Sequence, residues 1–492
     1  MLLKLYKKIL IGTILIVISV PFNLFGQSLD LNDAIQIALK NNEKIKQYQE
    51  RVSQKKYQDL EAWGNFLPTV SFEGSYNHLN DPMNIDLSPI RDVIITLQAK
   101  NQTELANIYK TLQGQPLNDQ QKAALYSQYS SQLNSAIPPF VETFKKQDFK
   151  TATLVGVQPL FVGGKLLAAK NFASEEKRSS EFELQKIKDE VIQETVNNYL
   201  GVVLMQNIVK TRTNVLEGIN KHRNDAQKLF NEGLIANYHL LRAEVAVADA
   251  ERNLSDDKNK LELAWIALQN TIGVSQDSPI TLTDSLSFAE VNDSLDFYTS
   301  RALENQPILK LIALKKEAAS SKYAAERANF LPTLAAFGKY EMYPQYLSSL
   351  EPRWVLGLQL KMNLFNGLKD YSKLQNAVHI EREVSYIEAD ARRKISLWVN
   401  KTYRDFINAK TRYQKLGKTI DLARENLRLN EKRFQSGMGT SLEVIDAQLS
   451  LEKNQIESLL SLFDFYKSLT DLYVAIGNPQ EILSVWHKEN QK

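Results

Sequence analysis

Two stretches of the chain lack proline for more than a hundred residues and carry apolar side chains at every third or fourth position. This spacing predicts very long α-helices at 164–231 and 366–435, each on the order of 100 Å long at about 1.5 Å per residue. An ordinary coiled coil has the same pattern, so the helices alone do not identify the fold. Their apolar stripes include Ile192, Val196, Tyr199 and Val203 in the first helix, and Ile395, Val399, Tyr403 and Phe406 in the second.

Each long helix belongs to a unit that occurs twice. A turn of the form L-F-x-G precedes each helix and a glycine ends it, at a constant offset of about 204 residues. Upstream, a helix of 20 to 25 residues ends in the same string, N-F-L-P-T, at Asn65–Thr69 and again at Asn329–Thr333. The recurrence of this string, together with the recurrence of the turns and glycines, indicates an internal duplication. The proline in each string ends the helix and begins an extended segment.

The extended segments alternate between apolar and polar residues. Strands of about ten residues with this alternation are typical of a membrane β-barrel wall. A half-buried sheet in a water-soluble domain has the same period, so alternation leaves both interpretations open. The apolar positions are Val70, Phe72, Gly74 and Tyr76 in the first strand of the first copy, and Trp354, Leu356, Leu358, Leu360 and Met362 in the returning strand of the second.

The first copy carries an insert of about 60 residues between its two strands, at about 77–150. The insert is polar and rich in Gln and Asn, and its middle, at 92–133, is expected to be partly helical. A long insert between two strands belongs on a surface, and in a barrel it would be an extracellular loop. Two copies supply four strands, too few to close a barrel, and an open strand edge is not tolerated in lipid. A membrane interpretation therefore requires several chains that close one barrel together.

The composition limits the cellular compartments and the kinds of functional site that are compatible with this chain. The chain has 492 residues, a formal net charge of +3 and no cysteine. Without a basic excess there is no electrostatic case for nucleic acid, and without cysteine there is no disulfide, thiolate site or acceptor for an N-terminal lipid. The first 26 residues have the order of a secretory signal peptide: Lys4, Lys7 and Lys8, then the apolar run 9–20, then a cleavage site after Gly26. A single N-terminal anchor is the alternative.

No motif supports catalysis or a cofactor. The five histidines are scattered without a metal-ligand spacing, and no G-x-S-x-G or Walker string is present. We therefore expect no catalytic, cofactor or metal site.

Taken in order and twice over, the FLPT strings, the LFxG turns and the glycine breaks resemble the TolC-type outer-membrane efflux proteins (outer membrane factors). The resemblance implies a mainly α-helical membrane protein with a helical barrel in the periplasm. Four strands per protomer would contribute to a 12-stranded outer-membrane β-barrel in a homotrimer. The implied plan is a signal peptide at 1–26, a first repeat at 27–297 and a second repeat at 298–492. The first repeat would hold a first helix, two strands around the extracellular insert, the long helix 164–231, a return helix 235–273 and an equatorial segment 274–297. The second would hold a first helix, strands at about 331–343 and 353–364, the long helix 366–435, a return helix 440–477 and a C-terminal equatorial segment.

The resemblance also implies a functional site at the turns that follow the long helices. There the protein would contact a periplasmic adaptor (membrane fusion) protein, and acidic residues of the second turn would ring the narrow periplasmic entrance. The ring residues would be Glu443 and Asp446; alternatively, both simply favour the start of the return helix, where acids suit the helix dipole. In the first copy His239 and Arg242 stand where polar or acidic residues are more usual, which puts a salt-bridge lock of the family's kind in doubt. The proposed contact residues are Gly233, Leu234, His239, Gly437, Met438, Gly439 and Leu442.

Aromatic residues lie near the outer ends of the predicted strands. They would form an aromatic girdle at the membrane interface, or would be ordinary strand aromatics. They are Tyr76, Tyr340, Tyr343 and Trp354.

The sequence therefore predicts a passive outer-membrane exit duct of a tripartite efflux or type I secretion system, opened at its periplasmic tip by the adaptor. The expected partners are two further copies of the chain, the adaptor, an inner-membrane RND or ABC transporter and outer-membrane lipid. One rival is a soluble periplasmic coiled-coil adaptor, which would explain the helices but not four alternating strands. The other is an exported adhesin or scaffold whose insert binds a partner.

Overall fold

The computed structural model describes residues 27–348 and 350–490, so the signal peptide expected at 1–26 lies outside the described residues. The chain forms two compact units, each assembled from separate stretches. One comprises the chain up to Asp59, 171–322 and the part from 375 onward; the other comprises 60–170 and 323–374. These units follow spatial contacts and not the duplication, so the division of the chain at 297 and 298 stays a prediction.

Helices make up most of the chain. The two long ones each have 67 residues, about 100 Å at the α-helical rise, and neither contains proline. In chain order the helices are α1 (Leu31–Asn41), α2 (Glu43–Gly64), α3 (Ser88–Leu112), α4 (Asp119–Ala136), α5 (Lys165–Asn231), α6 (Asn237–Ile272), α7 (Leu295–Asn305), α8 (Pro307–Arg327), α9 (Lys369–Gln435), α10 (Ser441–Ala475) and α11 (Glu481–Asn490). The long helices are α5 and α9, and the return helices are α6 and α10.

The largest core lies in the first unit, where the middle of α5 meets α10 and α11. Tyr199, Tyr466 and Trp486 are almost fully buried there, and the Tyr466 and Trp486 rings meet edge to face with centroids 4.9 Å apart. The segment between α6 and α7, at 273–294, is tied to this core through Asp284. Its carboxylate accepts hydrogen bonds from the Tyr199 hydroxyl at 2.7 Å, the Trp486 indole N–H at 2.9 Å and the backbone N–H of Leu31 at 3.0 Å.

The second unit is built on a four-stranded antiparallel sheet of order β2-β5-β7-β8, so that β2 and β8 are its edges. The register brings residues of one face into rows across the sheet. Phe72 of β2 lies opposite Leu154 of β5, which lies opposite Tyr340 of β7, which lies opposite Trp354 of β8. The strands are β1 (Gln27–Leu29), β2 (Thr69–His78), β3 (Met83–Asp86), β4 (Val141–Lys145), β5 (Asp148–Val162), β6 (Ile280–Leu282), β7 (Thr333–Glu341) and β8 (Trp354–Lys361).

Two departures from clean alternation have local causes. The register of β5 against β7 shifts between Pro159 and Phe161, because proline lacks the N–H that a ladder needs and is tolerated in a sheet at such irregularities. Phe337 breaks the pattern of β7 because it lies on the polar face, where it stands opposite Gly357 and its ring covers that glycine. A glycine there leaves room for the ring.

The insert between β2 and β5 is more ordered than the sequence suggested. It consists of the antiparallel strand pair β3 and β4 and, between these strands in sequence, the two helices α3 and α4, which together extend well beyond the expected partly helical stretch 92–133. The two helices pack through Arg91, Ile95, Ala99 and Thr103 of α3. The buried Arg91 donates to the carbonyls of Asn134 and Ile137 at 2.9 and 2.8 Å, which satisfies groups left unpaired at the end of α4.

Candidate functional site

The first of the two turns predicted as a tip joins α5 to α6. Gly233 has a positive φ of 74°, and its N–H donates to the Phe230 carbonyl at 2.9 Å, while the Leu234 N–H donates to the Leu229 carbonyl at 2.9 Å. These bonds satisfy the last carbonyls of α5 in the way a left-handed glycine allows. The next helix begins at Ala236, which has no side chain that can cap it.

The second turn joins α9 to α10 and has the same backbone plan. Gly437 also has a φ of 74°, and the N–H groups of Met438 and Gly439 both donate to the Arg433 carbonyl, at 2.9 and 3.0 Å. Gly439 does not have a positive φ; a Cβ at this position would approach the Phe434 nitrogen to 3.0 Å. The glycine is therefore required by close packing of the turn against the end of α9.

A capping box distinguishes the second turn from the first. The Glu443 N–H donates to the Thr440 hydroxyl oxygen at 3.3 Å, and the Thr440 N–H donates to the Glu443 carboxylate at 2.8 Å. This backbone hydrogen bond lowers the pKa of Glu443, and Arg433, 3.6 Å away, acts in the same direction. Within one chain Glu443 thus caps the helix, as the simpler of the two sequence interpretations expects.

The remaining predicted tip residues lie on the surface of the turns. Leu234 and Met438 are exposed, Leu442 is at the limit of exposure, and Asp446 stands exposed one turn beyond Glu443. The partly exposed His239 stacks on Tyr238, with ring centroids 4.0 Å apart. The acidic ring needs other copies of the chain and stays a prediction.

Sequence reasoning missed a buried contact just behind the second turn. His222 of α5 is 8% exposed; its Nε2 lies 2.8 Å from the Ser441 hydroxyl, and its ring centroid lies 4.6 Å from that of Phe434. Burial lowers the pKa of His222. The signal was its place in the apolar stripe of α5, three residues after Ile219 and four before Ala226, both buried.

A buried ion cluster, also missed, joins three helices. Arg212 of α5 donates through Nε to the Asp257 carboxylate of α6 at 2.8 Å and through Nη1 to Glu452 of α10. The two acids are 4% and 5% exposed, and Lys260 adds a second cation 2.8 Å from Asp257. Burial opposes ionisation, but the bonds from Lys260 and Arg212 outweigh it and lower the pKa of Asp257. The signal was Asp257 in the stripe of α6, seven residues after the buried Ala250 and three after Leu254.

The four-stranded sheet exposes its apolar face. Val70 and Phe72 of β2 are 72% and 64% exposed, and Leu356 and Leu358 of β8 are 75% and 68% exposed. In a water-soluble domain such residues would be covered by the rest of the chain. Nothing in the described part of the chain covers them, and both edge strands keep one side unpaired in the sheet.

The four candidate girdle aromatics come together at one end of this sheet. Tyr340 and Trp354 lie opposite each other in the last described pair of β7 and β8. Tyr76 lies near the end of β2, where its hydroxyl donates to Asp148 at 2.6 Å, and Tyr343 lies two residues after the end of β7. All four are exposed, in agreement with either sequence interpretation.

Among residues 27–348 and 350–490, no helix combines the length and the hydropathy that crossing a bilayer requires. Within the same ranges, no three His, Asp or Glu side chains are grouped so that they could hold a metal ion.

Residues 122–274 and 298–478, more than half of the chain, match the family described as outer membrane efflux protein. The toluene efflux pump outer membrane protein TtgC of Pseudomonas putida is 25% identical over 249 residues, which are 48% of this chain and 48% of that protein. The chain thus spans about half the length of the curated relatives it matches.

Two solved structures resemble the chain over nearly its whole length. The outer membrane protein VceC of Vibrio cholerae is 18% identical with a TM-score of 0.68, covering 91% of this chain and 96% of that one. The MtrE outer membrane channel of Neisseria gonorrhoeae is 16% identical with a TM-score of 0.67, covering 91% and 89%. At these identities the likeness shows the fold.

Proposed function

Since the chain belongs to the outer membrane efflux protein family, we propose that it forms the outer-membrane exit duct of a tripartite efflux system. Its place is the cell outer membrane, and it is a transport protein rather than an enzyme. We infer that it works as a passive homotrimeric channel, which an adaptor opens.

The uncovered apolar face of the sheet is the observation that carries the proposal. The described residues leave rows of apolar side chains on β2 and β8 mostly exposed. Such an apolar face is stable in lipid. In lipid the backbone groups of every strand must also be paired, so the sheet must close on itself. In a soluble adaptor this apolar face would be exposed to water, which is unfavourable.

The two free edges of the sheet support a trimer. β8 of one copy would pair with β2 of the next, and three copies of four strands make twelve. Strands about 4.8 Å apart and tilted by about 40° then give a barrel on the order of 24 Å across, enough for a continuous passage.

The turns after the long helices support adaptor contact. Leu234 at the first turn and Met438 at the second expose apolar side chains with no packing role in the chain. Exposed apolar residues at two equivalent positions suit a partner that engages both hairpins. The adaptor would link the duct to an inner-membrane RND or ABC transporter, which supplies the energy.

The cargo follows from the pump more than from this chain. TtgC and ArpC of Pseudomonas putida are named for toluene and antibiotic efflux. These names favour small-molecule efflux over protein secretion as the proposed role.

The test is fractionation with heat-modifiability. The outer membrane is isolated, extracted in mild detergent, and run on a gel boiled and unboiled. We expect a trimer-sized band from the unboiled outer-membrane sample that becomes a monomer on boiling. A monomer in the soluble periplasmic fraction would overturn the duct and favour the soluble adaptor.

A charged residue on the proposed lipid face should block assembly. Leu358→Arg places a cation on that face, which costs about 2–4 kcal/mol near the middle of a bilayer. We expect strongly reduced trimer yield in the outer membrane. Gln359→Arg is the matched control, because the neighbouring side chain lies on the opposite face and should assemble normally. Equal yields for the two variants would show that this face is not in lipid.

The acidic ring is tested by removing charge but not the cap. Glu443→Gln with Asp446→Asn keeps a side chain that can complete the capping box with Thr440. Three copies would otherwise hold six carboxylates near one axis, which attract cations. We expect reduced cation selectivity in single-channel recordings, while Glu232→Gln, at the exposed first turn, serves as the control. Unchanged selectivity in the double variant would leave capping as the role of Glu443.

A further inference from the structure

Helix α3 of the insert has two apolar faces, and the described part of the chain covers only one of them. Ile95 and Ala99 are buried against α4, whereas Leu97, between them in sequence, is 56% exposed on the opposite side. Leu97 belongs to a stripe that runs the length of the helix. We call it the α3 stripe, and its apolar members are Ile90, Ile94, Leu97, Leu105, Ile108 and Leu112, all exposed.

The α3 stripe has the regularity of a helix-packing seam. Its members repeat every eleven residues, as Ile94 and Leu105 do, and so do Leu97 and Ile108. This period, about 3.67 residues per turn, is typical of helices that wind around one another in a right-handed supercoil. The one polar position is Asn101, and no charged residue interrupts the stripe. A single Asn in an apolar seam is a known means of setting register and the number of helices.

The base of the insert is fixed at one end of the sheet. The Leu79 N–H donates to the Gln147 carbonyl at 2.8 Å, so the ladder between β2 and β5 continues toward β3 and β4. Lys145 at the end of β4 forms an ion pair at 3.0 Å with Glu351, in the turn between β7 and β8. The insert also grows from β2, which is an edge strand of the sheet. It therefore stands where the next copy of the chain would join.

We propose that the α3 stripes of three copies meet on the threefold axis and form a three-helix seam over the outer mouth of the duct. This inference rests on the homotrimer of the proposed function. A barrel on the order of 24 Å across places each insert about 12 Å from the axis, and a helix has a diameter of about 10–12 Å. A small inward lean of α3 brings the three stripes together.

The size of the stripe selects another copy of the chain as its occupant. From Ile90 to Leu112 it is about 33 Å long and about 10 Å wide, on the order of 300 Å². A separate protein needs about 800 Å² per partner for a stable complex, so the stripe alone is too small to hold one. Copies already joined through the barrel meet at a high effective concentration, and a small apolar contact then suffices.

The charges beside the stripe are also compatible with self-association. Asp92 and Glu104 offset two of the three cations of α3, which are Arg91, Lys100 and Lys110, so the helix has a net charge of only +1. Three copies therefore bring together a small positive excess, none of it within the apolar stripe.

Cysteine cross-linking tests the seam, because the natural chain has no cysteine. Leu97→Cys places one thiol on the α3 stripe, and Ser127→Cys places one on the exposed side of α4 as the matched control. Intact outer membranes are treated with a short bismaleimide and analysed after boiling. We expect covalent dimers from Leu97→Cys and monomers from Ser127→Cys. Monomers from both, with the unboiled trimer present, would overturn the seam and leave the duct standing.

A second measurement separates the seam from the barrel. Leu97→Glu puts three carboxylates at the proposed contact and should lower the temperature at which the trimer dissociates, whereas Ser127→Glu should not. Trimer dissociation temperatures that are equal in the two variants would contradict the seam. If the unmodified protein gives no trimer at all, both the seam and the homotrimeric duct are wrong.

Discussion

The two turns that end the long helices share one backbone conformation but differ in the side chains around it. Gly233 and Gly437 share the same φ, and both turns return to the preceding helix through the same pattern of N–H bonds. The second turn then starts α10 with a capping box, whereas the first starts α6 at Ala236 with no side-chain cap. The duplicated geometry is thus maintained by glycine, and the side chains around it have diverged.

The helix pairs behind the turns also differ, but here the first pair, and not the second, has the more deeply buried polar contact. In the first pair, Arg212 of α5 binds Asp257 of α6, and it also binds Glu452 of α10 in the second pair; the side chains of both acids are nearly inaccessible. Ser461 stands at the equivalent position of Asp257 in the second pair, and there Arg412 binds Ser461 at 2.8 Å and Asp464, a half-exposed acid. The hairpin without a cap therefore has the buried ion pair, and the hairpin with a cap has the exposed one.

The largest effect is expected from the buried cluster. Arg212→Ala leaves two acids buried with only Lys260 as a nearby cation, and breaking such a pair costs about 3–5 kcal/mol. Arg412→Ala is the matched control, because a half-exposed pair contributes about 0–1 kcal/mol. Thermal unfolding followed by far-UV circular dichroism should show a much lower midpoint for the first variant. Similar midpoints would mean that burial does not distinguish the two pairs.

A smaller effect is expected at the caps. Thr440→Ala removes the hydroxyl that starts α10 and costs about 1 kcal/mol, while Ala236→Ser offers α6 the cap it lacks. Amide hydrogen exchange at the start of α10 should become about fivefold faster in the first variant, and exchange at the start of α6 should become slower in the second. Exchange rates that stay unchanged at both sites would show that the turns do not depend on their caps.

The smallest effect concerns pH at the second turn. Burial holds the pKa of His222 below its ordinary value of about 6.5, so the neutral form is the one that packs against Ser441 and Phe434. The stabilisation from this packing is fully present above the pKa that His222 has in the unfolded chain. It is lost as the pH falls through that value toward the lower pKa that His222 has in the folded chain. The charged groups that line the same recess are Lys221, Asp225 and Glu431, and the nearby Asp225 opposes the shift.

We therefore expect amide exchange around Ser441 to become faster between about pH 7 and pH 5 relative to a reference helix far from the turn. His222→Gln should remove this pH dependence. Ser441→Ala keeps the imidazole and should retain it. A dependence that survives in His222→Gln would assign the effect to another group.

Much of the architecture was predictable from the sequence. The family resemblance and the outer-membrane location are confirmed by the family match, and the mainly helical fold with four strands in one sheet is confirmed by the structure and its likeness to solved structures. These predictions rest on periodicity and repetition, which are written along the chain. The acidic ring, the aromatic girdle and the adaptor contacts remain predictions, because each depends on other copies, lipid or another protein.

Other features were less accessible for physical reasons. The pairing of His222 with Ser441 and of Arg212 with Glu452 joins residues more than 200 positions apart, and no local pattern links them. The insert appeared polar because α3 and α4 are rich in Gln and Asn. Its apolar stripe became evident only once the helix bounds separated the face against α4 from the face left exposed.

The sequence by itself determined the long helices, the strands of the four-stranded sheet and the turns that end the long helices, because hydrophobic period, proline and glycine act over a few residues. It also determined that the plan occurs twice. Only the tertiary structure decided which polar groups are buried together and which apolar faces stay uncovered. Those outcomes depend on how distant segments pack, since the cost of burying a charge and the gain from covering an apolar surface are set by neighbours in space.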